Sequence, residues 1–425
     1  MTAIDQGEAG TGETAATALR CKECERVGEL TAAYVCEYCF GPLEVVYDME
    51  RIARAVSRER IAAGPPSLWR YRDFLPCAPA DPHAGLPTGL TPLVRAPRLA
   101  EALGLGEVWV KNDTANPTHS FKDRVVSVAL EKAKQLGYEV VACASTGNLA
   151  NSVAAHASAH GLESYVFVPA DLEEQKIVAT AVYGTTLLAV GGTYDDVNRL
   201  CMELASERPW AFVNVNVRPY YAEGSKTLAF EVAEQLGWRQ PDRCIVPIAS
   251  GSLYTKIHRG FRELRETGLL DDGPAPVMEG SQAAGCGPVA AAYADGLDFV
   301  APVKPDTVAK SLAIGNPADG VFALDVARET GGSITAVTEE EIVDGIELLA
   351  RTTGIFTETA GGVTTAVLAR LAREGRIDPS ERVVVFITGD GLKTLDAVAG
   401  RVRRHPIEPT VASFEAAVGE ARLIA

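Results

Sequence analysis

Short apolar runs and segments of helical apolar spacing alternate along most of this chain. From Trp109 onward, an apolar run typical of a buried strand leads into a turn of small polar residues, and a segment with helical spacing follows. This order repeats as far as ERVVVFITGDGL, a last buried run that ends in a turn. Strands that alternate with helices in this way predict an α/β fold of parallel sheets, with helices on both faces.

One of these segments places a lysine at the entrance of a helix. Val108–Val110 is predicted to be a short strand and Lys111–Ser120 a polar, turn-rich loop. Helical spacing begins at Phe121, so Lys122 lies in the first turn, where Ser120 is in position to cap the helix. The positive end of the helix dipole disfavours an ammonium group there, which favours a nucleophilic amine. The alternative is an ordinary surface lysine.

Two CxxC pairs precede this region, within residues 19–48. Cys21 and Cys24 form one pair, and Cys36 and Cys39 form the other. Four thiolates at this spacing predict a structural zinc ion in a small β-ribbon, because four cysteines leave no open position on the metal. The alternative is four unligated core cysteines, but so short and polar a segment offers little core.

The remaining segments are predicted to be a tail, an arm and a body. Residues 1–18 are small, polar and acidic, which predicts a disordered tail and no signal peptide. Residues 49–92 begin with an amphipathic helix at Met49–Ala63 and continue as an irregular arm rich in proline, glycine and aromatic residues. Residues 93–425 form the body, with a smaller α/β subdomain inserted at residues 128–236.

Composition restricts the class of protein. The chain has 425 residues, 47% hydrophobic and 23% charged, with a formal net charge of −16. The acidic balance argues against nucleic acid as a partner, and the charge of the cysteine segment is not basic either. No apolar run reaches the length that spans a membrane. We therefore expect a cytoplasmic protein without membrane or nucleic-acid partners.

Three further strand-end turns carry small polar residues. They lie at residues 145–148 (Ser-Thr-Gly-Asn), 249–252 (Ala-Ser-Gly-Ser) and 388–391 (Thr-Gly-Asp-Gly). Each turn alone is weak evidence, because such turns follow strands in most α/β proteins. Ligands of open parallel sheets bind at the C-terminal ends of strands, and free N–H groups before a helix suit a phosphate. Together with Lys122, the turns predict a site for pyridoxal 5′-phosphate (PLP).

Seven motifs then identify a family resemblance, which runs from about Leu19 to Leu392. The motifs are NPTHSFKDR, ASTGNLANS, SGSLYTKI, EGSQAAGCGP, KSLAIGNPADG, IFTETAGGVTTAV and TGDGLK. Together they resemble the threonine synthase family, of the tryptophan-synthase-β type (fold type II) of PLP enzymes. The resemblance implies two parallel-sheet α/β domains after a zinc ribbon and a homodimer. It also implies conversion of O-phospho-L-homoserine and water to L-threonine and phosphate.

The same resemblance implies roles for individual residues. Lys122 would bind the cofactor covalently and later shuttle protons, Asn148 would face the pyridoxal O3′, and Thr388 would contact the ring nitrogen, a place that Asp390 could contest. The residues expected to hold the cofactor phosphate are Ser250, Gly251, Ser252 and Leu253. The residues expected near the substrate, by its carboxylate or its phosphate, are Ser145, Thr146, Lys111, Asn216, Arg218 and Lys226. The last four have an alternative role in salt bridges and interdomain contacts.

Other functions stay open at this point. A related PLP lyase or β-replacement enzyme, such as cysteate synthase or threonine dehydratase, would use the same cofactor site. A zinc-ribbon binding or regulatory protein on an enzyme scaffold belongs to a different class, against which the intact Lys122, Asn148 and SGS turn argue. His119 is a departure from the resemblance, because many relatives have glycine there.

Overall fold

The computed structural model describes residues 14–145, 147–170, 172, 174–192, 194–271 and 273–424. Its strands are β1 (Ala16–Cys21), β2 (Val27–Gly28), β3 (Leu43–Tyr47), β4 (Leu93–Arg95), β5 (Glu107–Asn112), β6 (Val140–Ala144), β7 (Glu163–Pro169), β8 (Thr186–Val190), β9 (Ala211–Phe212), β10 (Arg243–Pro247), β11 (Val277–Ala283), β12 (Ile334–Val337) and β13 (Arg382–Ile387). Its α-helices are α1 (Met49–Ala55), α2 (Arg58–Ala62), α3 (Pro97–Leu103), α4 (Lys122–Gln135), α5 (Asn148–His160), α6 (Glu174–Ala181), α7 (Tyr194–Glu207), α8 (Arg218–Glu223), α9 (Thr227–Gln235), α10 (Ser252–Glu266), α11 (Pro288–Ala294), α12 (Gly320–Glu329), α13 (Glu339–Thr353), α14 (Thr359–Arg373), α15 (Asp396–Ala399) and α16 (Val411–Ile424).

Within the described part of the body, the strands form two sheets, and nearly all of their pairs are parallel. The larger sheet has the strand order β12-β11-β10-β13-β5-β4, and all its pairs are parallel except β4 with β5 at the edge. The smaller sheet, β8-β7-β6-β9, is parallel throughout and is built from residues 140–212, between β5 and β10 of the larger sheet. The α/β prediction is therefore confirmed, with one antiparallel edge strand added.

The apolar runs form central strands because both faces of the larger sheet are buried. In β13, Val384 and Phe386 enter one core cluster, and Val383, Val385 and Ile387 enter the other. Alternate residues of a strand point to opposite faces, so a strand covered on both sides needs apolar residues at every position. This explains why the strands are recognisable as continuous apolar runs.

The N-terminal ribbon (Ala16–Tyr47) is a three-stranded antiparallel sheet of order β2-β1-β3. Its first strand begins at Ala16, so the predicted tail is wrong for Ala16–Ala18. Those residues pair with β3, where Ala16 lies opposite Tyr47. The arm also differs, since the single helix predicted at Met49–Ala63 is two helices, α1 and α2, and Ser57 caps the second one.

The irregular arm contains a short 3₁₀ helix, Leu68–Phe74, whose aromatic side chains are buried. Tyr71 and Phe74 both pack against Phe230 of α9, with ring centroids 5.4 and 4.8 Å away. The arm is therefore fixed to the body by aromatic contacts. Among the described residues, no helix is both long and apolar enough to cross a membrane.

Candidate active site

The Lys122 loop and the Thr388 turn are joined at the C-terminal edge of the larger sheet. The strands β5 and β13 are neighbours there, in a register that pairs Asn112 with Ile387. Beyond the strand ends, Ser120 forms an isolated bridge with Gly389. Phe121 N donates to Thr388 O at 2.9 Å. Two of the turns predicted from the sequence to share a ligand are therefore in direct contact.

Lys122 is the first residue of α4 and is half-buried. Its Nζ donates to the hydroxyl of Tyr221 at 3.0 Å and lies 4.5 Å from the centroid of the Phe121 ring. Ser120 does not cap the helix, since α4 has no side-chain cap, and its Oγ is buried without a hydrogen-bond partner among the described residues. The capping prediction is wrong, and Tyr221 is a contact that the sequence did not identify.

Asn148 begins α5, on the side of the smaller sheet, and residues of the larger domain bind both ends of its amide. Its Nδ2 donates to Glu358 Oε2 at 2.9 Å and to Oε1 at 3.1 Å. Its Oδ1 accepts from Lys393 Nζ at 2.7 Å, and the same ammonium donates to Thr118 O at 2.5 Å. Asn148 is thereby held beside the Lys122 loop.

Glu358 and Lys393 are site residues that the sequence argument missed. Glu358 is 3% exposed, and burial raises the pKa of its carboxyl, although Asn148, Lys393 and Lys122 partly oppose the shift. Burial likewise lowers the pKa of Lys393, which Glu358 partly offsets. A Cβ at Gly389 would lie 2.5 Å from the Glu358 carboxyl carbon, so this glycine makes room for the acid. Both residues stand inside quoted motifs, IFTETAGG and TGDGLK.

The Ser250–Leu253 turn leads from β10 into the 15-residue helix α10. Gly251 has a φ of +93°, and a Cβ there would lie 2.5 Å from Asp319 O, so both conformation and space require glycine. The helix start has no side-chain cap. Because the first N–H groups of a helix lack partners within it, they are available to a phosphate.

Cations gather beside this turn around Asp319. Arg218 Nη2 lies 2.7 Å from Asp319 Oδ2, and Lys22 Nζ of the ribbon lies 2.9 Å from Oδ1. Burial alone would raise the pKa of Asp319, but Lys22 and Arg218 outweigh that effect and hold it below its ordinary value. Arg218 and Tyr221 are three residues apart on α8 and so project from the same side of the helix. Helix α8 therefore links the turn to Lys122.

Lys111 does not belong to the site, and its predicted role in substrate binding is wrong. Its side chain is fully buried. Its Nζ donates to Thr91 O at 2.7 Å, Glu231 Oε2 at 2.5 Å and Gln235 Oε1 at 3.0 Å. An ammonium group with three buried acceptors has a structural role. This is the alternative role, in a salt bridge, that the sequence left open for Lys111.

Lys226 and Asn216 are corrected in the same way. Lys226 Nζ is fully buried between Glu223, at 2.7 Å, and Glu263, at 2.8 Å. Asn216 closes a turn, because its Oδ1 accepts from Phe212 N and its Nδ2 donates to a backbone carbonyl. Of the four residues predicted for the substrate phosphate, only Arg218 lies beside the phosphate turn.

The other predicted residues fall as follows. Ser145 is buried at the end of β6, and its Oγ accepts from Gly147 N at 3.3 Å. Thr146 lies outside the described residues. Asp390 accepts from Leu392 N at 2.8 Å and caps a turn, which leaves Thr388 as the candidate for the ring nitrogen. His119 is exposed with a φ of +62°, a conformation that favours glycine.

The four ribbon cysteines have the geometry of a metal site. Their Sγ atoms all lie within 4.8 Å of one another, with 3.4 Å between Cys21 and Cys39 and 3.7 Å between Cys24 and Cys36. Tetrahedral zinc with thiolate ligands requires sulfur atoms about 3.8 Å apart. The ribbon thus fits a zinc ion with a closed coordination shell.

The residues around Lys122 fit an aldehyde cofactor that carries a phosphate. They supply a primary amine, an uncapped helix start and two buried hydroxyls, Ser120 Oγ and Thr359 Oγ1, that have no partner among the described residues. Buried polar groups without partners are rare, and a bound ligand would satisfy them.

Comparison with known proteins places most of the chain in a family of enzymes that use this cofactor. Residues 85–389 match the family described as pyridoxal-phosphate dependent enzyme. The threonine synthase of Methanocaldococcus jannaschii is 40% identical over 92% of this chain and 96% of its own length. That of Methanosarcina acetivorans is 37% identical over 88% and 92%.

Solved structures are similar in fold. The processed threonine deaminase isoform 2 from Solanum lycopersicum has a TM-score of 0.62 at 20% identity, over 73% of this chain and 87% of that one. An O-ureido-L-serine synthase has a TM-score of 0.60 at 19% identity, over 77% and 96%.

Proposed function

The chain belongs to the threonine synthase family of PLP-dependent enzymes, and from this premise we propose that it converts O-phospho-L-homoserine and water to L-threonine and phosphate at Lys122. It is accordingly a PLP-dependent carbon–oxygen lyase of threonine biosynthesis. One observation supports the location of this activity more than any other. The Lys122 loop, the Thr388 turn and Asn148 meet at one sheet edge, beside a helix start suited to phosphate.

The cofactor is assigned to these residues by their chemistry. Lys122 would hold PLP covalently, the Ser250–Leu253 turn would bind its phosphate, and Asn148 would face its ring hydroxyl oxygen. The hydroxyl of Thr388 would face the ring nitrogen and, being neutral, would leave that nitrogen largely unprotonated. Bound PLP supplies the electron sink that makes the Cα and Cβ protons of the substrate removable.

The amine of Lys122 would hold and move protons at the substrate carbons. Its Nζ is within 3.0 Å of the Tyr221 hydroxyl, which fixes the direction of the side chain and can pass a proton to or from it. Because the reaction removes and returns protons at neighbouring carbons, a single mobile amine with an oriented partner suits it.

Glu358 and Lys393 keep Asn148 in its working orientation. The carboxyl accepts from the amide nitrogen and the ammonium donates to the amide oxygen, so the two sides of the amide cannot exchange.

Arg218 is the cation we assign to the substrate phosphate. Its side chain is 19% exposed and lies beside the phosphate turn. Among the described residues, its guanidinium forms an ion pair with Asp319 alone. An arginine fork suits a phosphate that must be held before it leaves. Ser145 and Thr146 stay our candidates for the substrate carboxylate.

Zinc, location and assembly complete the proposal. We assign a structural zinc ion to Cys21, Cys24, Cys36 and Cys39, and we place the protein in the cytoplasm, where thiolates persist. We also propose a homodimer, which rests on the family resemblance. Light scattering on a size-exclusion column should then report the mass of two chains.

The function is tested by following the products from defined substrates. Wild type with PLP should form threonine and phosphate in equal amounts from O-phospho-L-homoserine, whereas Lys122→Ala should form neither. Lys134→Ala, at an exposed position on the same helix, is the matched control and should behave as wild type. Phosphoserine with sulfite, and threonine alone, serve as alternative substrates. Turnover of either one by the folded enzyme, without turnover of O-phospho-L-homoserine, would refute the proposal.

A further inference from the structure

The ribbon extends one lysine from its metal knuckle into the body. Lys22 lies between Cys21 and Cys24, and its backbone N donates to Pro42 O at 2.9 Å. Its Nζ lies 2.9 Å from Asp319 Oδ1 and 3.4 Å from the centroid of the Phe322 ring, and its side chain is 16% exposed. Since the two flanking cysteines belong to the proposed zinc site, the metal fixes the base of this side chain.

Asp319, the partner of Lys22, contacts the phosphate turn with its backbone. Its N donates to Ser250 O at 2.8 Å, and its carbonyl occupies the space that a side chain at Gly251 would need. Its second carboxylate oxygen binds Arg218 at 2.7 Å. One residue thus contacts the ribbon, the turn and the proposed substrate cation.

Two further contacts of the ribbon fall on α8, which carries Arg218, and on α10, which follows the phosphate turn. Tyr220 of α8 donates to Thr31 O at 2.8 Å, and it directly precedes Tyr221, the partner of Lys122. Arg259 of α10 binds Glu44 at 2.8 Å. These helices carry residues that we place around the cofactor and the substrate. The ribbon therefore packs against elements of the proposed site.

We propose that the zinc ribbon positions the phosphate turn of the active site, with Lys22 as the positioning residue that acts through Asp319. The inference rests on the proposed function, in which Ser250–Leu253 hold the cofactor phosphate. When zinc holds the knuckle, Lys22 holds Asp319, and Asp319 fixes Ser250 and Gly251 in the conformation that presents the helix start. Loss of this link should weaken recognition of the phosphate and leave recognition of the pyridine ring unchanged.

The test compares two probes that differ only by the phosphate. The dissociation constants of PLP and of pyridoxal are measured by absorbance titration for wild type, Lys22→Met and Arg26→Met. Arg26 is the matched control, because it is an exposed ribbon cation that stacks on Tyr38 within the ribbon. For Lys22→Met we expect PLP to bind about tenfold more weakly, the effect of one charge-assisted hydrogen bond. Pyridoxal affinity and a zinc content of one per chain should not change.

Two further measurements keep the outcome decisive. Lys22→Arg should restore PLP affinity to within about twofold, because it retains the cation. Removal of zinc from wild type with a chelator should weaken PLP about as much as Lys22→Met does, again without an effect on pyridoxal. This second measurement decides the matter if circular dichroism shows that Lys22→Met does not fold.

The results also separate this inference from the function on which it rests. If Lys22→Met matches Arg26→Met, or if zinc removal changes neither dissociation constant, the positioning role is overturned. An equal loss for PLP and pyridoxal would overturn it as well, since it would indicate general loosening of the site. If wild type binds PLP no more tightly than pyridoxal, it is the phosphate assignment within the proposed function that fails.

Discussion

At the scale of single residues, the candidate site is built from short contacts between residues that lie far apart in the sequence. Lys122 meets Tyr221, and Asn148 is held between Glu358 and Lys393. The place of Lys122 at a helix entrance is visible in the sequence, and its predicted role depends on the three other turns and on the family resemblance. Its partners are not visible there, because a single sequence does not reveal which of many tyrosines or acids will face it.

The contact of Lys122 with Tyr221 predicts a loss in rate without loss of cofactor. Tyr221→Phe removes the hydroxyl and keeps the ring, so PLP should still bind while kcat falls about tenfold, the size of one hydrogen bond in the transition state. Tyr165→Phe, which alters a tyrosine stacked on Trp210, is the control and should leave kcat unchanged. A Tyr221→Phe enzyme with the wild-type kcat would show that the hydroxyl takes no part.

The buried carboxyl of Glu358 predicts a dependence of stability on pH. Burial raises its pKa above the ordinary value of 4.5, so the folded state favours the protonated acid. Wild type should therefore lose stability relative to Glu358→Gln as the pH rises from 4.5 through the raised pKa, and the difference should then level off. Urea unfolding of the cofactor-free protein across this range measures it. A difference in stability between wild type and Glu358→Gln that is constant with pH would contradict the raised pKa of Glu358.

At the scale of elements, a buried ionic cluster joins β5, α4 and α9. Arg124 binds Asp113 at 2.6 Å and Glu231 at 2.5 Å, and Glu231 also binds Lys111 at 2.5 Å. All four side chains are almost completely buried. The cluster fixes the strand and helix that flank the Lys122 loop, and it explains why Lys111 is present without a role in substrate binding.

The cluster predicts an acid-sensitive contribution to stability. Burial would raise the pKa of Glu231, but Arg124 and Lys111 outweigh it and lower the value from 4.5 to about 2. The stabilisation is thus present above pH 4.5 and is lost as the pH falls toward 2, by an amount of about 3 kcal/mol. Glu231→Gln should lower the free energy of unfolding by about that amount at pH 7 in a urea titration. The difference in free energy of unfolding between Glu231→Gln and wild type should become smaller below pH 4.5. A difference that stays the same in acid would argue against the ion pairs.

At the scale of the whole molecule, much of the architecture was predictable because it follows from burial. Strands covered on both faces are apolar at every position, and the two cysteine pairs have the spacing of a metal site, so the α/β fold and the ribbon are evident in the sequence. The strand at Ala16–Ala18 was missed because small residues at a ribbon edge resemble a disordered tail. Lys111 and Lys226 were misassigned because their acid partners, such as Glu231 and Glu263, are fixed only by the tertiary fold.

The ribbon supplies a prediction for the molecule as a whole. Cys36→Ser removes one of four thiolates, so zinc content measured by mass spectrometry should fall from one per chain toward zero, and the midpoint of thermal unfolding should fall with it. Cys77→Ser is a suitable comparison, because Cys77 is buried far from the cluster in sequence and should leave the zinc content unchanged. Wild type that contains no metal when it is purified under reducing conditions without a chelator would contradict the zinc assignment.

The most direct test of the central claim is to locate the cofactor on the chain. The protein is saturated with PLP, reduced with borohydride, digested and analysed by mass spectrometry. We predict one phosphopyridoxyl group per chain, on the peptide that contains Lys122, and its loss when O-phospho-L-homoserine is added before reduction. A label on Lys393 or another lysine, or no label on a protein that binds PLP, would contradict the account.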